Sequence, residues 1–362
     1  MVLTFGIEEE FLLLDPPSGL PIGAQGPTRA LIAPVEGSFN SSAELLDAQV
    51  ESSSRVCTTR EQALASLLDF RSRLAAAAAA AGVAAAPTGA APSMPDSPAA
   101  LNSSLRYRQM GALTGAVAHE QYVNGTHIHV GVPSRDAGIR ILNGLRPWLA
   151  LLGALGANSP FWRGRDSSFA SWRMVHYRRW SVQGCPPYFT DAADYARRLE
   201  ALLATDVVLD TGHIGWAARL SENYPTVEIR IADAQLQARD SVLLAVLTRA
   251  LVGTLAAAPE PDPAAGPDPE LLDAGLWQAA RFGLGGNLVS DSGTNLPAAV
   301  HLRALLDFVA PALEEAGDYD YALGGAARLL AGGTGAQQQR EAVRTGGFQE
   351  LQQLYARSLA QA

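Results

Sequence analysis

The chain has 362 residues, of which 48% are hydrophobic and 17% are charged, and its formal net charge is −9. This length and composition allow a large buried core and predict a single domain over residues 1–362. The acidic balance argues against a nucleic-acid partner, because binding phosphates requires a basic surface. Two cysteines, Cys57 and Cys185, indicate a reducing compartment rather than a disulfide scaffold, and no export signal is visible, so we expect a cytoplasmic protein.

The first predicted element is a strand at residues 5–14, in which three consecutive glutamates interrupt an apolar run. At a period of two, Glu8 and Glu10 lie on one face, while Glu9 lies on the opposite face with the apolar side chains. Two carboxylates on one face repel each other unless a cation lies between them, and clustered carboxylate oxygens suit Mg²⁺ or Mn²⁺. The alternation therefore makes Glu8 and Glu10 candidates for a cation site and excludes Glu9.

A second strand is predicted from Leu45 to Val56, with a looser polar set made of Glu44, Gln49 and Glu51. Such a set is more often a solvated strand face than a site. It gains interest because polar strand faces recur elsewhere in the chain.

Helical signals follow this strand. Thr58 and Glu61 have the spacing of a capping box and predict a helix that ends near Gly82. An alanine-rich helix of this kind packs more often than it binds. Residues 83–86 predict a short buried strand, and residues 99–118 predict a helix.

A pair of histidines, His127 and His129, shares one face of the strand predicted at residues 124–132. A lone His-x-His pair is usually structural, although several polar strand faces in one chain make coincidence a weaker explanation. A long helix is predicted from Ser134 to about residue 157. The most apolar helical stretch, residues 148–157, is too short to span a bilayer, so we expect no membrane partner.

Residues 161–180 contain six basic residues, counting one histidine, and three tryptophans in an otherwise acidic chain. One interpretation is a surface helix whose aromatic face is packed. The other is a rim of cations that recognise the carboxylate or triphosphate of a substrate through bidentate guanidinium contacts. Arg173 is the best candidate for that role, with Arg165 as a second.

The strand predicted at residues 226–231 shows the strictest alternation, with Glu228 and Arg230 on one face about 6–7 Å apart. This pair is either a surface ion pair or a metal ligand beside a phosphate-binding guanidinium. Glycine pairs such as Gly324-Gly325 predict turns, residues 259–269 predict a loop, and the sequence contains no phosphate-binding Gly-x-x-x-x-Gly-Lys-Ser/Thr motif. Further helices are predicted at residues 191–205, 238–258, 270–282, 297–316 and 337–360.

Four segments occur in a fixed order along the chain: Gly6-Ile7-Glu8-Glu9-Glu10-Phe11, His127-Ile128-His129-Val130-Gly131, Asn158-Ser159-Pro160-Phe161 and Thr226-Val227-Glu228-Ile229-Arg230. Together they resemble the carboxylate–amine ligases of the glutamate–cysteine ligase type 2 family, which is related to glutamine synthetase. The resemblance covers residues 3–355. It implies an α+β fold in which an antiparallel β-sheet, curved into a funnel, has helices packed outside.

The resemblance also implies an activity and a set of residue roles. ATP would convert a carboxylate into an acyl phosphate, which an amine then attacks. Arg230 would grip the transferred phosphoryl group, and His129 would contact the substrate or a phosphate. Glutamate and cysteine are the implied acid and amine, and a homodimer is the default assembly. The implied ligands of two or three Mg²⁺ or Mn²⁺ ions are Glu8, Glu10, Glu51, His127 and Glu228.

Other activities fit the same cluster of side chains. A divalent-metal hydrolase would use the carboxylates and histidines without ATP. An ATP-dependent phosphotransferase would stop at the phosphorylated product. Release of ADP that depends on an amine distinguishes a ligase from both, and a metal-binding or regulatory protein without activity is a further alternative.

Overall fold

The computed structural model describes residues 2–24, 30–32, 44–259 and 266–360. The strands in this part of the chain are β1 (Phe5–Leu14), β2 (Gln49–Ser53), β3 (Ala84–Ala86), β4 (Gly125–Gly131), β5 (Phe161–Trp162), β6 (Arg165–Asp166), β7 (Gln183–Gly184), β8 (Gly215–Trp216), β9 (Ala218–Leu220), β10 (Thr226–Asp233), β11 (Asn287–Val289) and β12 (Asn295–Pro297).

Helices account for most of the remaining described residues. They are α1 (Arg60–Ala80), α2 (Leu105–Thr114), α3 (Ala116–His119), α4 (Arg135–Leu145), α5 (Leu149–Leu155), α6 (Trp172–Tyr177), α7 (Ala192–Leu203), α8 (Ala238–Ala257), α9 (Pro269–Phe282), α10 (Ala298–Ala316), α11 (Tyr319–Gly332) and α12 (Gly335–Ala360), with short 3₁₀ turns at Arg146–Trp148, Thr211–His213 and Gly283–Gly285.

The main sheet has six strands in the order β2-β1-β4-β10-β9, and the short strand β3 also pairs with β1. Every neighbouring pair in this sheet is antiparallel. The described strands do not close into a barrel. This combination of helices with an antiparallel sheet confirms the predicted α+β class.

Strands that are distant in sequence meet at the centre of the sheet. Strand β4 lies between β1 and β10, with Glu8 opposite His127 and Glu228 opposite His129. Because side chains alternate along a strand, this register brings the polar faces predicted for the three strands onto one side.

The other side of the sheet belongs to the hydrophobic core. Ile7, Ile128 and Ile229 are buried there and belong to the same hydrophobic cluster as helix α8. Helix α8 contacts both β1 and β4, so it supports the two strands that carry most of the polar face.

Helix α8 is the helix in the described part of the chain that is long and apolar enough to cross a membrane. However, 72% of its most apolar window is buried inside the protein. The helix therefore packs within the core of the described structure.

Some helix boundaries differ from the predicted ones, because helix caps and prolines determine where a helix begins and ends. The capping box lies one residue later than predicted, since Thr59 accepts a hydrogen bond from the backbone N–H of Gln62. The helix predicted from residue 134 to 157 is interrupted at Pro147, which has no N–H for a helical hydrogen bond. The helix predicted over residues 99–118 begins only at Leu105 and is divided into α2 and α3.

Two further predictions about chain segments need correction. Gly324-Gly325 is not a turn but lies inside α11, where a side chain at Gly325 would collide with Leu243 of α8. The glycine thus permits close packing of the two helices. The strand predicted from residue 45 to 56 shortens to β2, and of the loop predicted at residues 259–269, residues 260–265 lie outside the described part of the chain.

A fully buried ion pair lies on the core side of β1. The guanidinium group of Arg71 donates two hydrogen bonds to the carboxylate of Glu9, at 2.7 and 2.9 Å, and both side chains are at most 1% exposed. Its other N–H groups donate to the backbone carbonyls of Gln235 and Leu236, and Ser241 also donates to Glu9. The pair joins α1, β1 and the start of α8, and it confirms that Glu9 faces away from Glu8 and Glu10.

We predict that Arg71→Met lowers the free energy of unfolding by about 3–5 kcal/mol, because it leaves the carboxylate of Glu9 buried without its cation. Urea denaturation followed by circular dichroism measures the loss. Arg303→Met on α10 is the control, since the Arg303–Asp307 pair is exposed and should contribute less than about 1 kcal/mol. Equal losses for the two variants would contradict this account.

Candidate active site

The polar face of the sheet opens into a cleft of about 390 Å³. Strand alternation and register explain why its side chains converge: Glu8 faces His127 across β1 and β4, and Glu10 faces Glu51 across β1 and β2. Glu228 enters from β10, opposite His129. The structure thus brings together the side chains that the sequence singled out on four separate segments.

The histidines lie among the carboxylates. His127 Nδ1 is 3.1 Å from Glu8 Oε2 and 3.9 Å from Glu228 Oε1, and its Nε2 is 3.8 Å from Glu10 Oε1. His129 Nε2 lies 3.3 Å from Glu8 Oε1, close enough for an ionic contact although without hydrogen-bond alignment. Oxygen and nitrogen donors therefore surround a small common volume.

Two overlapping sets of donors have the spacing of metal ligands. Within each set the donor atoms lie within 4.8 Å of one another. The first set is Glu8, Glu51 and His127, and the second is Glu8, His129 and Glu228. The Nε2 atoms of both histidines are buried without a hydrogen-bond partner among the described residues. A buried imidazole nitrogen beside several carboxylate oxygens suits a divalent cation, so these residues fit the Mg²⁺ or Mn²⁺ that the sequence implied.

Proton affinity differs between the two ends of the cleft. Burial and the nearby carboxylate of Glu44 raise the pKa of Glu10 to about 8 and raise the pKa of Glu51 well above its usual range. At the other end, burial is outweighed by Arg230 and Arg219, which hold the pKa of Glu228 well below its usual range. Negative charge at the β1–β2 end is therefore less well compensated than at the β10 end, and a bound cation would add compensation there.

Arginines compensate the charge at the β10 end. Arg230 contacts the carboxylate of Glu228 directly, and Arg219 Nε donates to Glu228 Oε2 at 2.8 Å. The Nε of Arg230 is buried and has no partner among the described residues. Sequence reasoning missed Arg219, because β9 is only three residues long and nothing local shows that it pairs with β10.

Arg173 lies at the edge of the cleft and is 4% exposed. Its Nη1 and Nη2 atoms donate to the backbone carbonyls of Ile231 and Arg230, at 3.2 and 3.1 Å. Its guanidinium group lies 5.1 Å from the ring centre of Tyr177. The structure therefore places Arg173 beside Arg230, and its substrate-binding role stays a prediction.

Other residues from the sequence analysis have different positions. Arg165 lies on β6 with an exposed side chain and does not line the cleft, so the structure does not bring it to the site. The hairpin of β5 and β6 holds it away, and the helix in this segment is limited to α6. Glu44 and Gln49 do line the cleft, although Gln49 donates to the backbone carbonyl of Val123 and so has a structural role as well.

A cleft that gathers carboxylates, imidazoles and guanidinium groups on one sheet face is suited to an enzyme that binds divalent cations and anionic substrates. Residues 4–357 match the profile of the family described as glutamate-cysteine ligase family 2. The chain belongs to this family. It is accordingly an enzyme of the ATP-dependent C–N ligase class, as the sequence resemblance predicted.

Relatives with similar sequences span nearly the whole chain. A protein of Nocardia farcinica, provisionally named glutamate–cysteine ligase 2-1, is 40% identical over 338 residues, covering 93% of this chain and 88% of its own length. A protein of Streptomyces coelicolor, provisionally named glutamate–cysteine ligase 2, is 39% identical over 357 residues, covering 96% of each chain.

Solved structures share the fold at much lower sequence identity. Glutamate–cysteine ligase from Francisella tularensis, in complex with AMP, superposes with a TM-score of 0.74 at 13% identity, covering 100% of this chain and 90% of its own. A bifunctional glutathione synthetase from Pasteurella multocida gives a TM-score of 0.72 at 15% identity, covering 99% of this chain and 52% of its own. At such identities the likeness concerns the fold alone.

We predict that Mn²⁺ binds this cleft and that Glu51→Gln weakens the binding at least about tenfold, because removal of one charged donor costs at least as much as loss of an outer-shell contact. Isothermal titration calorimetry with Mn²⁺ alone measures the affinity. Glu61→Gln, on the exposed surface of α1, is the control and should bind as the parent protein does. Unchanged affinity in Glu51→Gln would remove Glu51 from the ligand set.

We also predict that Mn²⁺ binding releases protons at neutral pH. Glu10, with a pKa of about 8 in the metal-free cleft, is mostly protonated at pH 7 and must ionise to become a ligand. The apparent affinity should therefore rise as the pH increases from 6 to 8. Titrations in buffers of different ionisation enthalpy measure the released protons, and an affinity that is constant or falls over this range contradicts the prediction.

Proposed function

We propose that this enzyme joins the carboxylate of one small molecule to the amine of another by way of an acyl phosphate formed from ATP. The observation that carries the proposal is the convergence of Glu8, His127 and Glu228 beside Arg230 in one cleft. Family membership and the AMP complex of the Francisella tularensis ligase support it. In the first step the bond between the β- and γ-phosphates breaks and a substrate carboxylate oxygen bonds to the γ-phosphorus. In the second step the amine nitrogen attacks the acyl carbon, and phosphate and a proton leave.

The carboxylates and histidines of the cleft would hold two or three Mg²⁺ or Mn²⁺ ions. A bound ion neutralises phosphate charge and orients the phosphates for in-line transfer. The protein supplies Glu8 as the ligand common to both donor sets, with oxygens within reach of both histidines. The remaining proposed ligands are Glu10, Glu51, His127 and Glu228.

Arg230 is the proposed phosphoryl-binding cation. Its side chain is largely buried, and contact with Glu228 keeps the guanidinium group at the edge of the proposed metal site. The electrostatic attraction to Glu228 outweighs burial and raises the pKa of Arg230, so the group stays charged throughout the reaction. A fixed cation in a water-poor cleft stabilises charge that develops on the transferred phosphoryl group. His129, whose Nδ1 is 3.0 Å from Thr226 Oγ1, is held where its other nitrogen faces Glu8 and would contact substrate or phosphate.

The substrates are proposed to be amino acids. The names of the relatives suggest glutamate as the acid and cysteine as the amine. We further propose that residues 1–362 act as a single catalytic domain in the cytoplasm, and that two copies form a homodimer.

The first experiment incubates the purified protein with ATP, Mg²⁺ and pools of amino acids while ADP and phosphate are measured. ADP release that requires both an acid and an amine supports a ligase. ADP release with the acid alone, and a stable phosphorylated product, would instead identify a phosphotransferase. Hydrolysis of a substrate without ATP would identify a metal hydrolase.

We predict that Arg230→Ala and Glu228→Gln each lower kcat for ADP formation by about 10³-fold or more. The first removes the cation proposed to stabilise the phosphoryl transition state, and the second removes a proposed metal ligand that also contacts Arg230. The melting temperature should show that both variants remain folded. Arg303→Ala is the control, because Arg303 is an exposed arginine of α10 that pairs only with Asp307 among the described residues. Full activity in either cleft variant would contradict the role proposed for the residue that it replaces.

A further inference from the structure

A second cavity, of about 240 Å³, adjoins the cleft on the side of β10. We call it the annex. It shares Arg173, Tyr177, Gln183 and Arg230 with the cleft, so these residues form the boundary between the two cavities. The rest of the lining is mainly apolar and includes Met174, Ala217, Ile231, Leu276, Trp277 and Ala280.

The boundary of the annex is positively charged. Arg173 is more than nine-tenths buried, and its Nε has no hydrogen-bond partner among the described residues. The Nε of Arg230 is also buried without a partner in that part of the chain. Buried guanidinium N–H groups without partners favour a ligand oxygen, above all a carboxylate. A ligand that enters the annex therefore has an anionic group at the boundary and an apolar group beyond it.

A ligand with an anionic group beside an apolar group matches only some reactants of the proposed ligase. The inference therefore rests on the proposed function. If Arg230 contacts the γ-phosphoryl group, the adenine ring must lie farther away, beyond the other two phosphates and the ribose. A charged acid side chain would lose its hydration in the annex, where the further guanidinium group of the lining, that of Arg178, is already paired with Asp273. The remaining reactant is the amine, whose nitrogen lies one carbon from its carboxylate and therefore close to the reacting acyl group.

The volume of the annex indicates the size of the side chain. An apolar cavity of about 150 Å³ is enough to hold benzene. The annex, at about 240 Å³, is larger. A cysteine side chain has only two heavy atoms and would leave most of this space unfilled, and unfilled apolar space forfeits packing contacts.

We propose that the annex binds the side chain of the amine substrate, and that this substrate is an amino acid with a large apolar or aromatic side chain rather than cysteine. Arg173 binds its carboxylate through the Nε–H group that has no partner among the described residues, while Arg230 contacts the transferred phosphoryl group. Ala280 and Leu276 of α9, together with Ile231 of β10, contact its side chain and determine specificity.

Binding tests the annex without depending on catalysis. Calorimetry with L-phenylalanine alone should show affinity at least tenfold higher than with L-alanine, since each well-packed methylene is worth about tenfold or more. Ala280→Leu, which fills the annex, should reduce the affinity for L-phenylalanine at least tenfold. Ala274→Leu places the same side chain on an exposed position of the same helix and is the matched control. No preference for L-phenylalanine over L-alanine in the parent protein overturns the proposal.

Kinetics then separates the annex from the ligase chemistry. With ATP, Mg²⁺ and L-glutamate, the ratio of kcat/KM for L-phenylalanine to that for L-alanine should fall at least tenfold in Ala280→Leu. If that variant does not fold, Leu276→Ala replaces it and should raise the ratio of L-tryptophan to L-phenylalanine binding at least threefold. Binding of L-phenylalanine without amine-dependent ADP release would refute the ligase but retain the annex. Amine-dependent ADP release with L-cysteine preferred over L-phenylalanine would refute the annex but retain the ligase.

Discussion

The pairing of β1 with β4 depends on how three consecutive glutamates are distributed between the two faces of one strand. Glu8 and Glu10 face the cleft, while Glu9 faces the core and is neutralised by Arg71. A slip of one residue would exchange the faces, so that two carboxylates would enter the core and the Arg71 pair would be lost. The buried pair thus selects the register of β1, and this register in turn places Glu8 opposite His127.

The cleft is electrostatically unequal along its length, and this inequality would orient the proposed substrates. At the β10 end, Glu228 is already matched by Arg219 and Arg230. At the β1–β2 end, burial and then the nearby carboxylate of Glu44 raise the pKa of both Glu10 and Glu51. Cations are therefore attracted to the β1–β2 end and anionic groups to the β10 end. A metal-bound triphosphate combines both charges, so it matches this polarity better than either a free cation or a free anion does.

The strand faces could be predicted from the sequence because side-chain alternation is a local property, as Glu8, His127 and Glu228 illustrate. Features that depend on long-range packing could not be predicted from the sequence. Arg165 and Arg173 occur in the same basic segment with similar neighbours. Arg165 lies on the short strand β6 of a hairpin and is exposed, whereas Arg173 lies on the short helix α6 and is buried. Arg219 gave no local signal, since it contributes to the site only through the pairing of β9 with β10. The metal and substrate roles of the cleft residues remain predictions.

The pairing of β10 with β4 is also irregular at one position, where side-chain alternation says least about the direction of the side chains. Between the pair Ile229–Ile128 and the pair Ala232–Thr126, two residues of β10 stand against one of β4. Such a bulge leaves backbone groups unpaired and changes the direction of side chains, and it occurs often beside active sites. Here the carbonyls of Arg230 and Ile231 accept hydrogen bonds from Arg173. Arg173 therefore satisfies the irregular backbone that carries Arg230, which ties the position of one arginine to that of the other and makes the boundary of the annex a consequence of the bulge.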